Sequence, residues 1–259
     1  MRILVTNDDG VESPGLMQLA EEMRALGDVT VVAPDGDRSS ISHRISFQAP
    51  VRISTVPGRS VPTFACSGTP ADCVVLGAYE LCGATPDLVV SGINRGANLG
   101  DDLNYSGTVA AAIEATVIGI RAIAVSLAGR WPGFADVYHW ESASALALRV
   151  ARSRWGIKPT SFLNLNVPNM AQSEVRGIRL TRQGRKRYED RLVREVDEEG
   201  GAFYRISGRF DMALAGTQTD LEAVRDGYAS ITPITIDRTD AELLEALRSE
   251  PVAAVLAEG

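Results

Sequence analysis

The sequence predicts an α/β protein built on a doubly wound, mostly parallel sheet, and three observations carry that reading. Short apolar runs of strand length alternate with stretches of helical periodicity from Arg2 to Val167. The first run, its helix and the second run fit within about 30 residues, the span of a βαβ unit. Each strand-like run ends in polar or glycine-rich residues, as the ligand-facing loops of such a sheet do. A chain of 259 residues, 45% hydrophobic and 23% charged, can bury a sizeable core.

Arg2 to Thr6 reads as a short buried strand, followed by the turn-forming Asn7-Asp8-Asp9-Gly10. Leu16, Leu19, Ala20, Met23 and Leu26 then recur at helical spacing from Pro14, and Gly27 stands where a C-terminal cap is expected. Val29 to Ala33 is the second strand, so the crossover between the two is parallel and right-handed. Asp35 to Pro70 is rich in Ser, Pro and Gly and predicts loops with small strands, as at Val51 to Ile53. Asp72 to Cys82 reads as a helix and Asp87 to Ser91 as a strand. Ser106-Gly107-Thr108 opens an apolar helix through Ile118, Ile123 to Leu127 is a strand, and a helix from Ala135 to Arg152 leads to a strand from Phe162 to Val167.

The alternation closes near residue 170, which divides the chain into a catalytic core, 1–170, and a C-terminal extension, 171–259. Within the extension, Gly177 to Thr181 reads as a strand. From Arg185 to Glu199, eleven of fifteen residues are charged, and Phe203 to Ser207 returns as a strand, so about 182–212 forms a protruding hairpin. A solvated arm and a phosphate- or subunit-binding arm both fit that charge run. A strand over 228–234 and a helix from Thr239 or Asp240 to about Arg248 complete the chain.

Composition excludes several functions. The 26 basic and 33 acidic residues give a net charge of -7, which argues against a stable nucleic-acid complex or an anionic membrane as partner. No apolar stretch is long enough for a signal sequence or a span, and the three cysteines form no C-x-x-C pair, so a cytoplasmic protein is expected. With only His43 and His139, a multi-imidazole site is ruled out and the chemistry rests on oxygen groups. There is no G-x-x-x-x-G-K-[ST], G-x-G-x-x-G or G-x-S-x-G, which removes the P-loop, dinucleotide and nucleophile-elbow readings.

Three post-strand loops carry what chemistry remains. Adjacent Asp8 and Asp9 repel each other, and burying both is costly unless a cation neutralises them. A hard divalent ion with oxygen ligands is the natural remedy, although an Asx turn also explains the pair. In the second loop a hydroxyl of Ser39 or Ser40 can complete the coordination sphere and Arg38 can bind an oxyanion, while an ordinary turn fits equally. The third loop, Gly92 to Ser106, carries glycines that admit close backbone approach. Asn94 or Asn98 can offer a carbonyl to the metal there, and Ser106-Gly107-Thr108 begins a helix whose free N–H groups attract phosphate. A metal beside a phosphate pocket points to phosphoester hydrolysis.

NDDG at Asn7–Gly10, VVAPD-x-x-RS at Val31–Ser39, PDLVVSGINRGANLGDD-x-x-YSGTVAAA at Pro86–Ala112, FLNLNVP at Phe162–Pro168 and GYASITP at Gly227–Pro233 together resemble the SurE (survival protein E) family of nucleotidases. The likeness runs from Met1 to about Ile234. It implies a Rossmann-like core and a metal-dependent phosphatase acting on nucleoside 5'-monophosphates and in some members on 3'-nucleotides, with short polyphosphate left open as a second substrate. It also implies a homodimer or homotetramer in which the C-terminal hairpin and helix serve oligomerisation.

By motif, the resemblance places one divalent ion per subunit, Mg²⁺ or Mn²⁺ with Ca²⁺ a possible occupant in a crystal, on Asp8, Asp9, Ser39 and Asn94. Asp8 and Asp9 would also be the catalytic pair. Phosphate contacts would fall on Asn98, Ser106, Gly107 and Thr108, with Arg38 and Ser40 beside them. The family often has glycine where this chain has Ser40. Water attack on phosphorus and covalent attack by Asp8 both remain open, and a non-catalytic nucleotide- or metal-binding regulator of the same fold is the alternative to the enzyme.

Overall fold

The computed structural model describes residues 1–129, 137–153, 158–196, 201–211 and 217–248. Eleven strands and six helices lie among them. The strands are β1 Arg2–Thr6, β2 Asp28–Pro34, β3 Ile53–Thr55, β4 Thr63–Cys66, β5 Leu88–Arg95, β6 Ala122–Ala128, β7 Ser161–Pro168, β8 Ile178–Leu180, β9 Arg187–Val196, β10 Ala202–Asp211 and β11 Ala229–Thr235. The helices are α1 Pro14–Met23, α2 Pro70–Leu76, α3 Gly107–Val117, α4 Trp140–Arg152, α5 Asp220–Arg225 and α6 Ala241–Arg248.

Nine strands form one sheet in the order β3-β4-β2-β1-β5-β6-β7-β11-β8. The pairs β4-β2-β1-β5-β6-β7 are all parallel, whereas β3 on β4 and β11 on β7 are antiparallel, so the sheet is mostly parallel as expected. Side chains alternate between its faces. Ile3 and Val5 of β1 face α1 and α4 in one apolar layer, which also holds Leu19, Met23, Ala147 and Val150. Leu4 faces α2 and α3 in the other, with Val74, Ala111, Ala115 and Phe162. Both faces are therefore covered, which is why the central strands read as unbroken apolar runs.

The chain steps one way across the sheet from β1 to β2 and the other way from β5 to β6. The loops after β1 and β5 consequently part at the carboxyl ends of neighbouring strands, and a crevice opens there. This is the geometric reason the site described below lies where it does.

Several boundaries differ from the sequence reading. The helix expected over Asp72 to Cys82 is α2 followed by a π turn, Gly77–Leu81, because the Thr69–Asp72 capping box starts the helix two residues early at Pro70. The helix expected from Ala135 begins at Trp140, with its first turn set by Ser142 donating its backbone N–H to the His139 carbonyl; Ala135 itself lies outside the described residues. Helix α5 and a 3₁₀ turn at Gly100–Asn104 were not anticipated, being too short to show periodicity. The charged stretch does form an antiparallel hairpin, β9 with β10, which among the described residues pairs with no other strand. Residues 197–200 and 212 of the expected arm lie outside the described residues.

Candidate active site

At the end of β1 the Asx closure is made by Asn7, not by the aspartates. The Asn7 amide donates Nδ2–H to the Gly10 carbonyl at 3.0 Å, and Gly10 N–H donates back to Asn7 Oδ1 at 3.2 Å. Both carboxylates are thereby left for other partners. Gly10 adopts φ +100°, and a Cβ there would stand 3.0 Å from the Gly36 backbone, so glycine lets the first two loops touch. The contact is completed by Arg38 N–H donating to the Asp8 carbonyl at 2.8 Å.

Asp8 is 4% exposed and its Oδ1 accepts a hydrogen bond of 2.5 Å from the Thr108 hydroxyl. Burial pushes its carboxyl up to about 6; the Thr108 bond opposes that shift and the neighbouring Asp9 adds to it. Asp9 is half-buried and accepts from Arg95 N–H at 3.0 Å through Oδ2. Its carboxyl is raised by burial, with the Arg95 contacts pulling it down and the charge of Asp37 adding to the rise. Two acidic groups are thus held together at a cost that a bound cation would relieve.

The second loop is braced by its own side chains. Ser39 donates both its N–H, at 2.8 Å, and its hydroxyl, at 2.5 Å, to Asp37 Oδ1. The Arg38 guanidinium pairs with Asp35 at 2.7 Å and reaches the Asp37 and Ser67 carbonyls, so it ties down its loop in this structure. Ser40 adopts φ +59°, the left-handed region that glycine enters without strain.

From the third loop, Asn94 donates Nδ2–H to the Gly96 carbonyl at 3.0 Å, which leaves its Oδ1 as the end able to meet a cation. Asn98 is held by β6 and β7. Its N–H donates to Asn166 Oδ1, its carbonyl accepts from Asn164 and Asn166 Nδ2, and its own Nδ2 donates to Ser126 Oγ, all at 2.8–2.9 Å. Ser106 caps α3 by accepting Val109 N–H at 3.1 Å, and the Thr108 N–H bonds the Asp8 carboxylate, so of the first two amides of the helix it is that of Gly107 that is left to meet an anion. Gly107 is packed against Asp8, where a Cβ would lie 2.7 Å from Asp8 Cβ.

The crevice therefore joins Asp8, Asp9, Thr108, Gly107 and the Arg38 and Arg95 backbones directly, with Ser39 and Asn94 on the two flanking loops. Sequence reasoning passed over Asp37, Asn164, Asn166 and Ser126. The signal for the asparagines was present in the alternation of FLNLNVP, since polar residues on every second position of a buried strand need partners. Among the described residues no three His, Cys, Asp or Glu side chains gather as a metal cluster. A cation here would take two carboxylates and then neutral oxygens and water, a donor set that suits Mg²⁺ or Mn²⁺.

The family model "Survival protein SurE" matches residues 3–190. The chain is similar to "5'-nucleotidase SurE" of Syntrophotalea carbinolica, 48% identical over 250 residues covering 95% of this chain and 96% of that protein. It is likewise similar to "5'-nucleotidase SurE" of Geobacter sulfurreducens, 44% identical over 256 residues, 98% of this chain and 95% of that one. The crystal structure of the SurE protein from Aquifex aeolicus superimposes with a TM-score of 0.82 at 37% identity, over 96% of this chain and 98% of that chain. With a matching core, matching length and the crevice built from the motif residues, the chain belongs to the survival protein SurE family.

Proposed function

We propose that this chain is a divalent-metal-dependent 5'-nucleotidase that hydrolyses nucleoside 5'-monophosphates to nucleoside and phosphate. The observation that carries the reading is Asp8, a buried carboxylate pressed against the first turn of α3, where a cation site and an anion site share one wall. Relatives named 5'-nucleotidase SurE support the choice of substrate.

Asp8, Asp9, Ser39 and Asn94 would hold one Mg²⁺ or Mn²⁺. When bound, such an ion supplies charge neutralisation at a phosphate oxygen and a more acidic water. The protein's own groups do the positioning that phosphoryl transfer requires. The Gly107 amide holds a phosphate oxygen at the helix N-terminus, where charge developing on it is stabilised without reorganisation, while both polar groups of Thr108 serve Asp8. Thr108 orients Asp8 through its hydroxyl. The carboxylate oxygens of Asp8 and Asp9 not engaged by Thr108 and Arg95 are available to the cation and to the proton of the attacking water.

The β9–β10 hairpin supports a homo-oligomer. A two-stranded sheet is marginal on its own in water, and Leu192, Val196 and Tyr204 are exposed on this one, so a second copy of the chain is the partner we assign to it. Among the described residues no helix is long and apolar enough to cross a membrane, which is consistent with the cytoplasmic location we propose.

The test is phosphate release from 5'- and 3'-mononucleotides by metal-stripped protein with Mg²⁺ or Mn²⁺ restored. Metal-restored hydrolysis, reduced about 10²–10³-fold or more in Asp8→Asn, is the expected result. Absence of turnover with either ion, alongside intact nucleotide binding, would favour a non-catalytic regulator instead.

A further inference from the structure

Behind the crevice, a buried acid ties the third loop to the base of the arm. Asp220, at the start of α5, is 0% exposed. Its Oδ2 accepts Gly100 N–H at 2.8 Å, and its Oδ1 accepts Gly184 N–H and Leu221 N–H, each at 2.9 Å. A buried carboxylate survives only when its lone pairs are filled, and here three backbone donors fill them.

Two further ties run in parallel. Gln183 donates Nε2–H to the Gly100 carbonyl at 2.9 Å, so Gly100 is gripped on both its polar groups. Lys186, its side chain 5% exposed, donates its N–H to Asp101 Oδ2 at 2.7 Å and forms an ion pair with Asp102. Packing leaves little slack, since a Cβ on Gly184 would lie 2.6 Å from Leu221 Cδ1 and 3.0 Å from Asp220 Oδ1. Gly100 itself has φ +56° and lies two residues beyond Asn98, on the path to the Ser106 cap. On the other side, Lys186 is the last residue before β9.

We propose that Asp220 is a positioning residue for the phosphate-binding loop, clamping Gly100 to Gly184 so that the path from Asn98 to Thr108 is set by the C-terminal extension. The proposal rests on the nucleotidase reading for its kinetic consequence, but the clamp is measurable without turnover. Asp220 does not touch substrate; it acts through the loop. An amide in its place keeps the shape and still accepts at one end, while its NH₂ meets one of the backbone N–H groups donor to donor.

The experiment compares the full-length protein with Asp220→Asn and Gln183→Ala. Hydrogen exchange is followed in peptides covering 98–108 and 182–186, Mn²⁺ and inorganic phosphate affinities are taken by calorimetry, and KM and kcat are measured for AMP hydrolysis. For Asp220→Asn, exchange should rise about tenfold or more in both segments together, with β1 and β5 peptides unchanged. The phosphate Kd and the KM for AMP should rise about tenfold, while Mn²⁺ affinity stays within about twofold and kcat within about threefold. Exchange rising in both segments with KM and phosphate affinity unmoved would reduce Asp220 to a structural role and overturn the proposal. So would exchange rising in only one segment. Should Asp220→Asn fail to fold, Gln183→Ala must show the same pattern at about two- to fivefold, and no change there sinks the idea. If the wild type releases no phosphate, the nucleotidase reading falls, and the exchange and phosphate-affinity readouts still decide the clamp.

Discussion

Asp8 has to be buried to press against α3 and charged to hold a cation, and its neighbours show how both demands are met. The Thr108 hydroxyl and the absent side chain of Gly107 are the two concessions made to it. Thr108→Val keeps the shape and loses the hydroxyl, so Mn²⁺ affinity should fall about 10–100-fold, as for other groups that orient a metal ligand, with Thr108→Ser largely restoring it; calorimetry on purified variants decides. Gly107→Ala places a methyl 2.7 Å from Asp8 Cβ, and the displacement should reduce kcat/KM about 10²-fold in a steady-state assay. At Ser40, φ +59° costs about 1 kcal/mol in a residue other than glycine, so Ser40→Gly should be neutral to about 1 kcal/mol stabilising in urea unfolding. The aspartate pair, the Ser39 loop and the capped helix were legible as residues. Asp37 was not, because a carboxylate bonding a serine two positions on looks in sequence like any turn.

Among the elements, β7 shows how one strand serves core and site at once. Phe162 at its start is fully buried beneath α3, whereas Asn164 and Asn166, two and four residues on and so on the same face, reach the Asn98 backbone. Asn166→Ala strips the partner from a buried N–H, and unfolding should report a loss of about 1–3 kcal/mol. The far edge of the sheet carries a charge device of a different kind. Arg179 lies 3.7 Å over the Tyr228 ring and bonds Asp226, and Arg179 first and then Arg225 hold the Asp226 carboxyl below its ordinary value. A depressed acid contributes stability that is present above its unfolded pKa of about 4 and lost as pH falls through the folded value. The melting-temperature difference between wild type and Asp226→Asn should therefore be largest near pH 6 and shrink progressively as pH falls below about 4. Element order was readable because buried parallel strands are long apolar runs. Helix α5 escaped notice because six residues make fewer than two turns.

For the whole molecule, the division of labour follows from the sheet order. Reversal of direction at β1 opens the crevice between the loops after β1 and β5, and the hairpin projects from the other end of a polar clamp at Gly184 and Lys186. Since β9 and β10 pair with no strand of the nine-stranded sheet, replacing 187–211 by a short Gly-Ser linker should leave the core folded. Sedimentation velocity should then show a smaller assembly than the full chain, and an unchanged assembly would remove the arm from the interface we assign to it.

Residue order alone was enough to read the α/β class, the succession of core strands and helices along the chain, and the three loops that carry the chemistry. Those features are local: apolar runs, helical spacing, glycines and caps act over a few residues and leave their mark in order along the chain. It took the packed chain to show that Asn7 rather than an aspartate closes the first turn, that Asp8 meets Thr108 a hundred residues away, and that Asp220 reaches back to Gly100. The reason is physical. A buried polar group must find its partner wherever the packed chain brings one, and sequence separation carries no information about which strand will lie beside which.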